Sequence, residues 1–131
     1  MINFFSKYKF IFHLANIFLI ILYIYPGSIL GYVIYSDLQT QPQITRDFIV
    51  STNHVYAFFL ISLLGLLTFK KTNKLNILIL YLLILSIVLE ILHVFIPNRS
   101  FEFADLFGNL VGVFVLIIIQ LLIHKNENFK N

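Results

Sequence analysis

The sequence predicts an all-α, polytopic membrane protein: a bundle of four transmembrane helices with short loops and one longer outer loop after the first span. Two observations carry this prediction. The 131 residues are 60% hydrophobic and only 11% charged, and the mean hydropathy is +0.92. The apolar residues also gather in four stretches of about 18–22 residues, enough to cross a hydrocarbon core about 30 Å thick. We therefore expect residues 1–131 to form a single membrane domain.

The first span is expected at about residues 8–25 and ends at Pro26-Gly27, a pair that terminates helices. Lysines precede this stretch as they would in a signal peptide, but the small residues of a cleavage site do not follow it. We therefore interpret it as a retained span. The segment that follows is apolar over residues 29–35 and polar up to residue 47. Its apolar half is too short to cross, and we expect it to lie on or dip into the outer face.

The other three spans are expected at about residues 48–69, 75–96 and 104–124, each closed by lysines or by Pro97-Asn98. Basic residues gather on the cytoplasmic side of membrane proteins, so they also predict the orientation. If the four spans cross the membrane in alternating directions, all the lysines fall on one side of it: Lys7, Lys9, Lys70, Lys71, Lys74, Lys125 and Lys130. The other side receives only Arg46 and Arg99. We expect a multi-pass protein of the cell (inner, cytoplasmic) membrane with both termini in the cytoplasm.

Polar residues interrupt these spans at similar depths. Glu90 and His93 are three residues apart on one face of the third span, and Asp105, Asn109 and Gly112 form a stripe on the fourth. A charge at the bilayer centre costs at least about 2.5–3.5 kcal/mol, so such residues mark a candidate functional site. Six residues fall at extracytoplasmic ends and are predicted to form one ligand-binding pocket: His54, Glu90, His93, Arg99, Asp105 and Asn109. Gly112 is expected to permit close helix approach.

The spacing of these residues resembles the VanZ-like family, named for a protein linked to teicoplanin resistance. That family has Glu-x-x-Gln, then Pro and Arg, then Asp-x-x-x-Asn-x-x-Gly, and the matching residues here are Glu90, Pro97, Arg99, Asp105, Asn109 and Gly112. His93 replaces the usual glutamine. Upstream, His54, Ala57 and Phe58 match the end of a second motif, whereas Val50 and Ser51 replace its Asp-Lys pair. The resemblance covers about residues 48–120. It implies a small multi-span helical protein of the cell envelope, with a link to glycopeptide-antibiotic resistance.

Three functions are compatible with these residues, besides a purely structural polar network in which Glu90 pairs with Arg99. The first is a binding component without catalysis, in which Arg99 pairs with the phosphate or carboxylate of a head group. The second is an intramembrane enzyme acting on a lipid-linked head group, with Glu90, His93 and Asp105 as catalytic candidates. The third, ranked last, is a proton-coupled transporter that uses Glu90 and His93 and needs an oligomer.

The expected partners are membrane lipids, with a lipid-linked cell-envelope precursor as a candidate ligand, and the sequence leaves the oligomeric state open. Nucleic acid is not expected, because the lysines lie at span ends rather than along a basic stripe. No cofactor is expected, and without cysteine there is no thiolate ligand or nucleophile. A metal site of His54, His93, Glu90 and Asp105 is chemically possible, but its spacing is generic and no metal is expected.

Overall fold

The computed structural model describes residues 2–70 and 72–129, with side chains for residues 8–70 and 72–126. The described chain is helical and contains no strand, which confirms the all-α prediction for these residues. Its helices are α1 (Ile2–Ile24), α2 (Ile29–Tyr35), α3 (Thr52–Phe69), α4 (Leu75–Leu92) and α5 (Phe103–Phe129). Lys71 and Lys130, which the orientation argument counts, lie outside the described residues, as does the side chain of Lys7.

Three of the described helices, α3, α4 and α5, are long and apolar enough to cross a membrane. The first apolar segment is broken: α1 ends at Ile24, and α2 continues at an angle of 83° to it. The two form a fourth crossing segment only if they are taken together as one broken span. The break falls at Pro26-Gly27, where proline removes a backbone donor and Gly27 has a φ of 110°. The helices are therefore compatible with three or four membrane crossings.

Two helices are shorter than the sequence predicts. The helix α3 begins at Thr52 rather than near residue 48, because Asp47 Oδ1 accepts the Thr52 N–H over 2.8 Å and stabilises the helix start there. The helix α4 ends at Leu92 rather than near residue 96. The chain beyond it runs through tight turns to Asn98, which has a left-handed φ of 60°.

The most extensive helix contact joins α3 and α5, and glycine makes it possible. A Cβ added at Gly112 would lie 2.7 Å from both Phe59 N and Val55 O, so the two backbones touch at this point. The prediction that Gly112 permits close helix approach is confirmed. A Cβ at Gly108 would lie 2.6 Å from Ser51 O and 3.0 Å from His54 Cβ. The two glycines therefore bring the start of α3, including His54, against α5.

Apolar side chains fill the bundle between these helices. The buried core consists of Phe12, Leu19, Tyr23, Phe58, Ile61, Leu66, Phe69, Leu78, Leu82, Leu89, Val113 and Leu116. Many other apolar side chains are exposed on the outer faces of the long helices, as expected of a surface that contacts lipid. At one end of the bundle α1 and α4 finish while α3 and α5 begin, and the buried polar side chains concentrate at that end.

Candidate functional site

Five of the six predicted site residues meet at this end of the bundle. They are His54 of α3, Glu90 of α4, His93 directly after α4, and Asp105 and Asn109 of α5. Glu90 and Asn109 are completely buried, His54 and His93 are nearly so, and Asp105 is half-buried. Side chains that are far apart along the chain therefore form one polar cluster within apolar surroundings.

Asn109 orients the centre of this cluster. Its Nδ2 donates to the backbone oxygen of Ser86 over 3.1 Å, which turns its Oδ1 toward α3. That oxygen lies 2.9 Å from His54 Nδ1 and accepts the Tyr23 hydroxyl over 2.7 Å. Because an amide oxygen can only accept, His54 Nδ1 carries the proton in this contact. The other ring nitrogen, Nε2, lies 3.5 Å from Asp105 Oδ2.

Glu90 and His93 make a second contact at the end of α4. His93 Nδ1 lies 3.2 Å from Glu90 Oε1, and His93 Nε2 lies 3.0 Å from the backbone oxygen of Tyr23. The carbonyl only accepts, so Nε2 is protonated, and the Nδ1 contact requires a further proton on either the imidazole or the carboxyl group. Glu90 Oε1 also accepts the backbone N–H of Glu102 over 3.1 Å, which ties the α4–α5 turn to the cluster.

Two residues complete the cluster that the sequence did not single out as site residues. The ring of Tyr23 stacks on His93, with ring centres 5.8 Å apart, and meets the His54 ring edge-on at 5.2 Å. Ser51 occupies the N-cap position of α3 without making a side-chain cap hydrogen bond; its backbone N–H donates to Ala104 O over 3.1 Å, and its side chain favours the charged form of Asp105. The position of Tyr23, three residues before the helix-ending Pro26, was the available signal, since it placed a polar hydroxyl at the same end of the bundle. Ser51 gave no signal of its own.

Arg99 lies beside the cluster but faces a different set of partners. Its Nη2 donates to the backbone oxygens of Leu22 and Gly27 over 2.9 and 2.7 Å, and its Nε donates to that of Tyr25 over 3.2 Å. The guanidinium thus caps the C-terminal end of α1, where carbonyl groups lack helical partners. Burial lowers its pKa, while the nearby negative side chain of Glu90 and other acidic groups oppose that shift. No ion pair between Arg99 and Glu90 occurs among the described residues, so the pairing considered for a structural network is absent.

A cavity of about 340 Å³ opens next to the cluster. Its apolar walls come from α1, α2 and α3 and include Leu19, Leu22, Ile29, Leu30, Ile34, Ala57 and Leu60. Its polar lining includes Tyr23, His54, His93 and Arg99, while Glu90, Asp105 and Asn109 lie outside the lining. Pockets that bind small molecules share this combination of apolar walls with a few convergent polar groups.

The arrangement offers two kinds of chemistry. Arg99 presents guanidinium donors to the cavity and the two histidines add polar rings to its lining, which suits an anionic or polar group. Behind the histidines, the carboxylates of Glu90 and Asp105 each approach an imidazole nitrogen, at 3.2 and 3.5 Å. Such a pairing can orient an imidazole, move a proton or bind a cation.

Comparison with known proteins finds no matching family, no matching curated protein and no matching solved structure. The resemblance to the VanZ-like family therefore rests on the spacing of the motif residues alone.

Proposed function

We propose that this chain is a VanZ-like protein of the cell membrane that binds an amphiphile, seating its anionic or polar head group in the cavity at the extracytoplasmic end of a four-span bundle. The observation that carries the proposal is the composition of the cavity wall, in which apolar side chains surround Arg99, His54 and His93. A membrane lipid or a lipid-linked envelope precursor combines the same two chemistries in one molecule.

The volume of the cavity limits what it holds. About 340 Å³ is at the lower end of the range for small-molecule pockets, roughly 300–1,000 Å³. A head group and the first part of a hydrocarbon chain match that volume, whereas a complete lipid does not. The hydrocarbon chain of the ligand then runs along the apolar walls formed by α2 and α3 toward the bilayer.

Arg99 provides the anion contact in this proposal. Its Nε and Nη2 are engaged with the end of α1, and its Nη1 has no hydrogen-bond partner among the described residues. The fixed guanidinium therefore retains donors for a phosphate or carboxylate, and its partial burial strengthens that interaction. An arginine whose other donors are already engaged loses little side-chain entropy when it binds an anion.

The four-span arrangement belongs to the proposal as well. It takes α1 and α2 together as one broken span, so that the chain crosses with α1, α3, α4 and α5. Lys9, Lys70 and Lys125 then lie on the side opposite Arg99, which makes that side cytoplasmic by the positive-inside rule.

A second candidate function is an intramembrane enzyme that acts on a lipid-linked head group. One observation favours it: His54 and His93 line the cavity while the carboxylates of Asp105 and Glu90 approach their ring nitrogens. A histidine supported by a carboxylate is a suitable general acid or base. If the chain is such an enzyme, Glu90→Gln should abolish product formation without releasing bound lipid.

The experiment is native mass spectrometry of the protein purified in mild detergent and incubated with phosphatidylglycerol or phosphatidylcholine. We expect phosphatidylglycerol to be retained preferentially, and Arg99→Lys to remove the preference because the planar guanidinium is lost. Arg46→Lys is the matched control, since Arg46 is exposed and lies outside the cavity lining. Ala57→Phe, which fills the cavity, should release both lipids, whereas Val111→Phe on the exposed face of α5 should not.

If every variant retains lipid as the unmodified protein does, the polar cluster is a structural network and the binding proposal fails. The link to teicoplanin follows from the family resemblance alone. It predicts that expression of the chain in a susceptible host lowers teicoplanin susceptibility, and unchanged susceptibility would remove that part of the proposal.

A further inference from the structure

Three of the site residues present metal-ligating atoms to one another. One ligand atom each from His54, Glu90 and Asp105 lies within 4.8 Å of the other two. The three residues come from α3, α4 and α5, so the cluster exists only when these helices are packed. Their spacing along the sequence is generic, which is why no metal is expected from the sequence even though a site of these three residues with His93 is chemically possible.

The hydrogen bonds of His54 leave one nitrogen facing a carboxylate. Its Nδ1 is the donor to Asn109 Oδ1 at 2.9 Å, so in a neutral ring Nε2 carries a lone pair. The Nε2 atom lies 3.5 Å from Asp105 Oδ2. Two electron-rich atoms at this distance repel unless a positive charge lies on or between them. An imidazole that donates its other N–H to an oxygen is also the usual state of a metal-bound histidine.

Glu90 supplies an independent observation. Its side chain is completely buried, and Oε1 is engaged with the Glu102 N–H and with His93. Its other oxygen, Oε2, has no hydrogen-bond partner in the described part of the chain and lies 3.9 Å from His54 Nδ1. A buried carboxylate oxygen without a partner is costly, and this one lies beside the same imidazole ring as Asp105, near Nδ1 where Asp105 faces Nε2.

We propose that His54, Glu90 and Asp105 bind a divalent metal ion, with Zn²⁺ the best fit. One imidazole nitrogen and two carboxylate oxygens are ligands that Zn²⁺ accepts, and their two negative charges balance the ion. Zinc bonds of about 2.0–2.2 Å in a tetrahedral site separate neighbouring ligand atoms by about 3.3 Å. The His54–Asp105 distance of 3.5 Å is close to that value, whereas the three ligand atoms are up to 4.8 Å apart, so the Glu90 carboxylate needs to approach by up to about 1.5 Å.

Three protein ligands leave one tetrahedral position open, as in catalytic zinc sites. His54 also lines the cavity, so the ion lies next to the space in which we place the head group. The metal site is nevertheless independent of that proposal. Its test uses the ion alone, and the lipid experiment uses no added metal, so each can fail without the other.

The test is calorimetric titration of Zn²⁺ into the full chain, purified in detergent through a tag without histidine and freed of metal with a chelator. We expect one saturable equivalent, and about tenfold or more weaker binding in Asp105→Asn. Glu102→Gln is the matched control, because Glu102 is an exposed acid next to the start of α5 that is not among the three ligands. It should bind Zn²⁺ as the unmodified protein does.

Co²⁺ provides a readout on the unmodified protein if Asp105→Asn does not fold. Loading with Co²⁺ should give the visible absorption of a four-coordinate site, and one equivalent of Zn²⁺ should abolish it. The exposed His13 and His124 are the adventitious ligands, and the double variant His13→Gln/His124→Gln should keep the spectrum. No saturable Zn²⁺ binding, binding unaltered in Asp105→Asn, or a Co²⁺ spectrum lost with His13 and His124 would overturn the proposal. In each case a protonated His54 would balance the carboxylates instead.

Discussion

The hydroxyl of Tyr23 lies between side chains of two other helices, 2.7 Å from Asn109 Oδ1 and 3.1 Å from His54 Nδ1. Its ring meanwhile stacks on His93, so one residue of α1 contacts α3, α5 and the residue that follows α4. The donation to Asn109 is buried, but Asn109 Oδ1 keeps its contact with His54 when the hydroxyl is removed. The hydroxyl therefore links α1 to the cluster by hydrogen bonding. Neither Asn109 nor His54 depends on it as the only hydrogen-bond partner.

Tyr23→Phe is expected to lower the free energy of unfolding by about 1 kcal/mol, the usual net value of one buried hydrogen bond. The ring remains, so packing against the two histidines is preserved. The measurement is denaturant titration in detergent micelles. Tyr25→Phe is the control, because Tyr25 is 39% exposed at the end of the same helix. Equal free energies of unfolding for the two variants would show that the Tyr23 hydroxyl does not stabilise the fold.

The polar part of the site could be predicted from the sequence because a charge within an apolar span stands out against its surroundings. Glu90, Asp105 and Asn109 were found in this way. Tyr23 offered no such contrast, since the chain has seven tyrosines and this type is common near membrane interfaces. The hydrogen-bond partners of Arg99 depend on where the end of α1 lies in the folded chain. That position is a property of the tertiary structure and cannot be predicted from local residue spacing.

At the scale of elements, the start of α3 depends on a side chain from the preceding loop. Asp47 Oδ1 accepts the Thr52 N–H over 2.8 Å and the Thr52 hydroxyl over 3.1 Å, while Gln43 donates to Oδ2. The Thr52 N–H holds the pKa of Asp47 below its ordinary value. A carboxylate at a helix N-terminus also interacts favourably with the helix dipole. This loop therefore stabilises the helix that carries His54.

The pH dependence of this contact has a definite sign. Because the pKa of Asp47 is lower in the folded than in the unfolded chain, its contribution is complete above the unfolded pKa, near pH 4, and is lost as the pH falls through the folded value. Asp47→Ala should cost about 1 kcal/mol or less at pH 7, since the group is largely exposed. The stability difference between the two proteins should shrink toward zero below pH 4. A difference that persists unchanged at pH 2–3 would contradict this assignment.

The elements themselves were predictable to the extent that composition determines them. Long apolar stretches predicted α3, α4 and α5, and Pro26-Gly27 predicted the end of α1. The helix α2 was not predicted, because seven apolar residues are ambiguous on their own. Its capping is local, with the Gly31 N–H donating to Ser28 Oγ over 2.9 Å, but its 83° turn away from α1 depends on the fold of the following loop.

At the scale of the whole molecule, the sidedness of the bundle decides whether the cavity faces the outer leaflet. The turn between α3 and α4, which contains Asn73, lies at the opposite bundle end from the turn between α4 and α5, which contains Ser100. In the orientation that we propose from the positive-inside rule, the α3–α4 turn with its neighbouring lysines lies in the cytoplasm. Because the site lies at the same end of the bundle as the α4–α5 turn, a reversed orientation would put the cavity on the cytoplasmic side.

Single cysteines test this orientation directly, since the chain contains none of its own. Ser100 and Asn73 are both exposed, so each cysteine can react with a maleimide. Ser100 is a better position than Asn98, whose φ of 60° disfavours a cysteine. In intact cells a membrane-impermeant maleimide should label Ser100→Cys but not Asn73→Cys, and permeabilisation should expose Asn73→Cys. Labelling of Asn73→Cys alone from outside would reverse the orientation and move the head-group pocket to the cytoplasmic leaflet. The metal site of His54, Glu90 and Asp105 would keep its ligands in either orientation, because they depend only on how the helices pack.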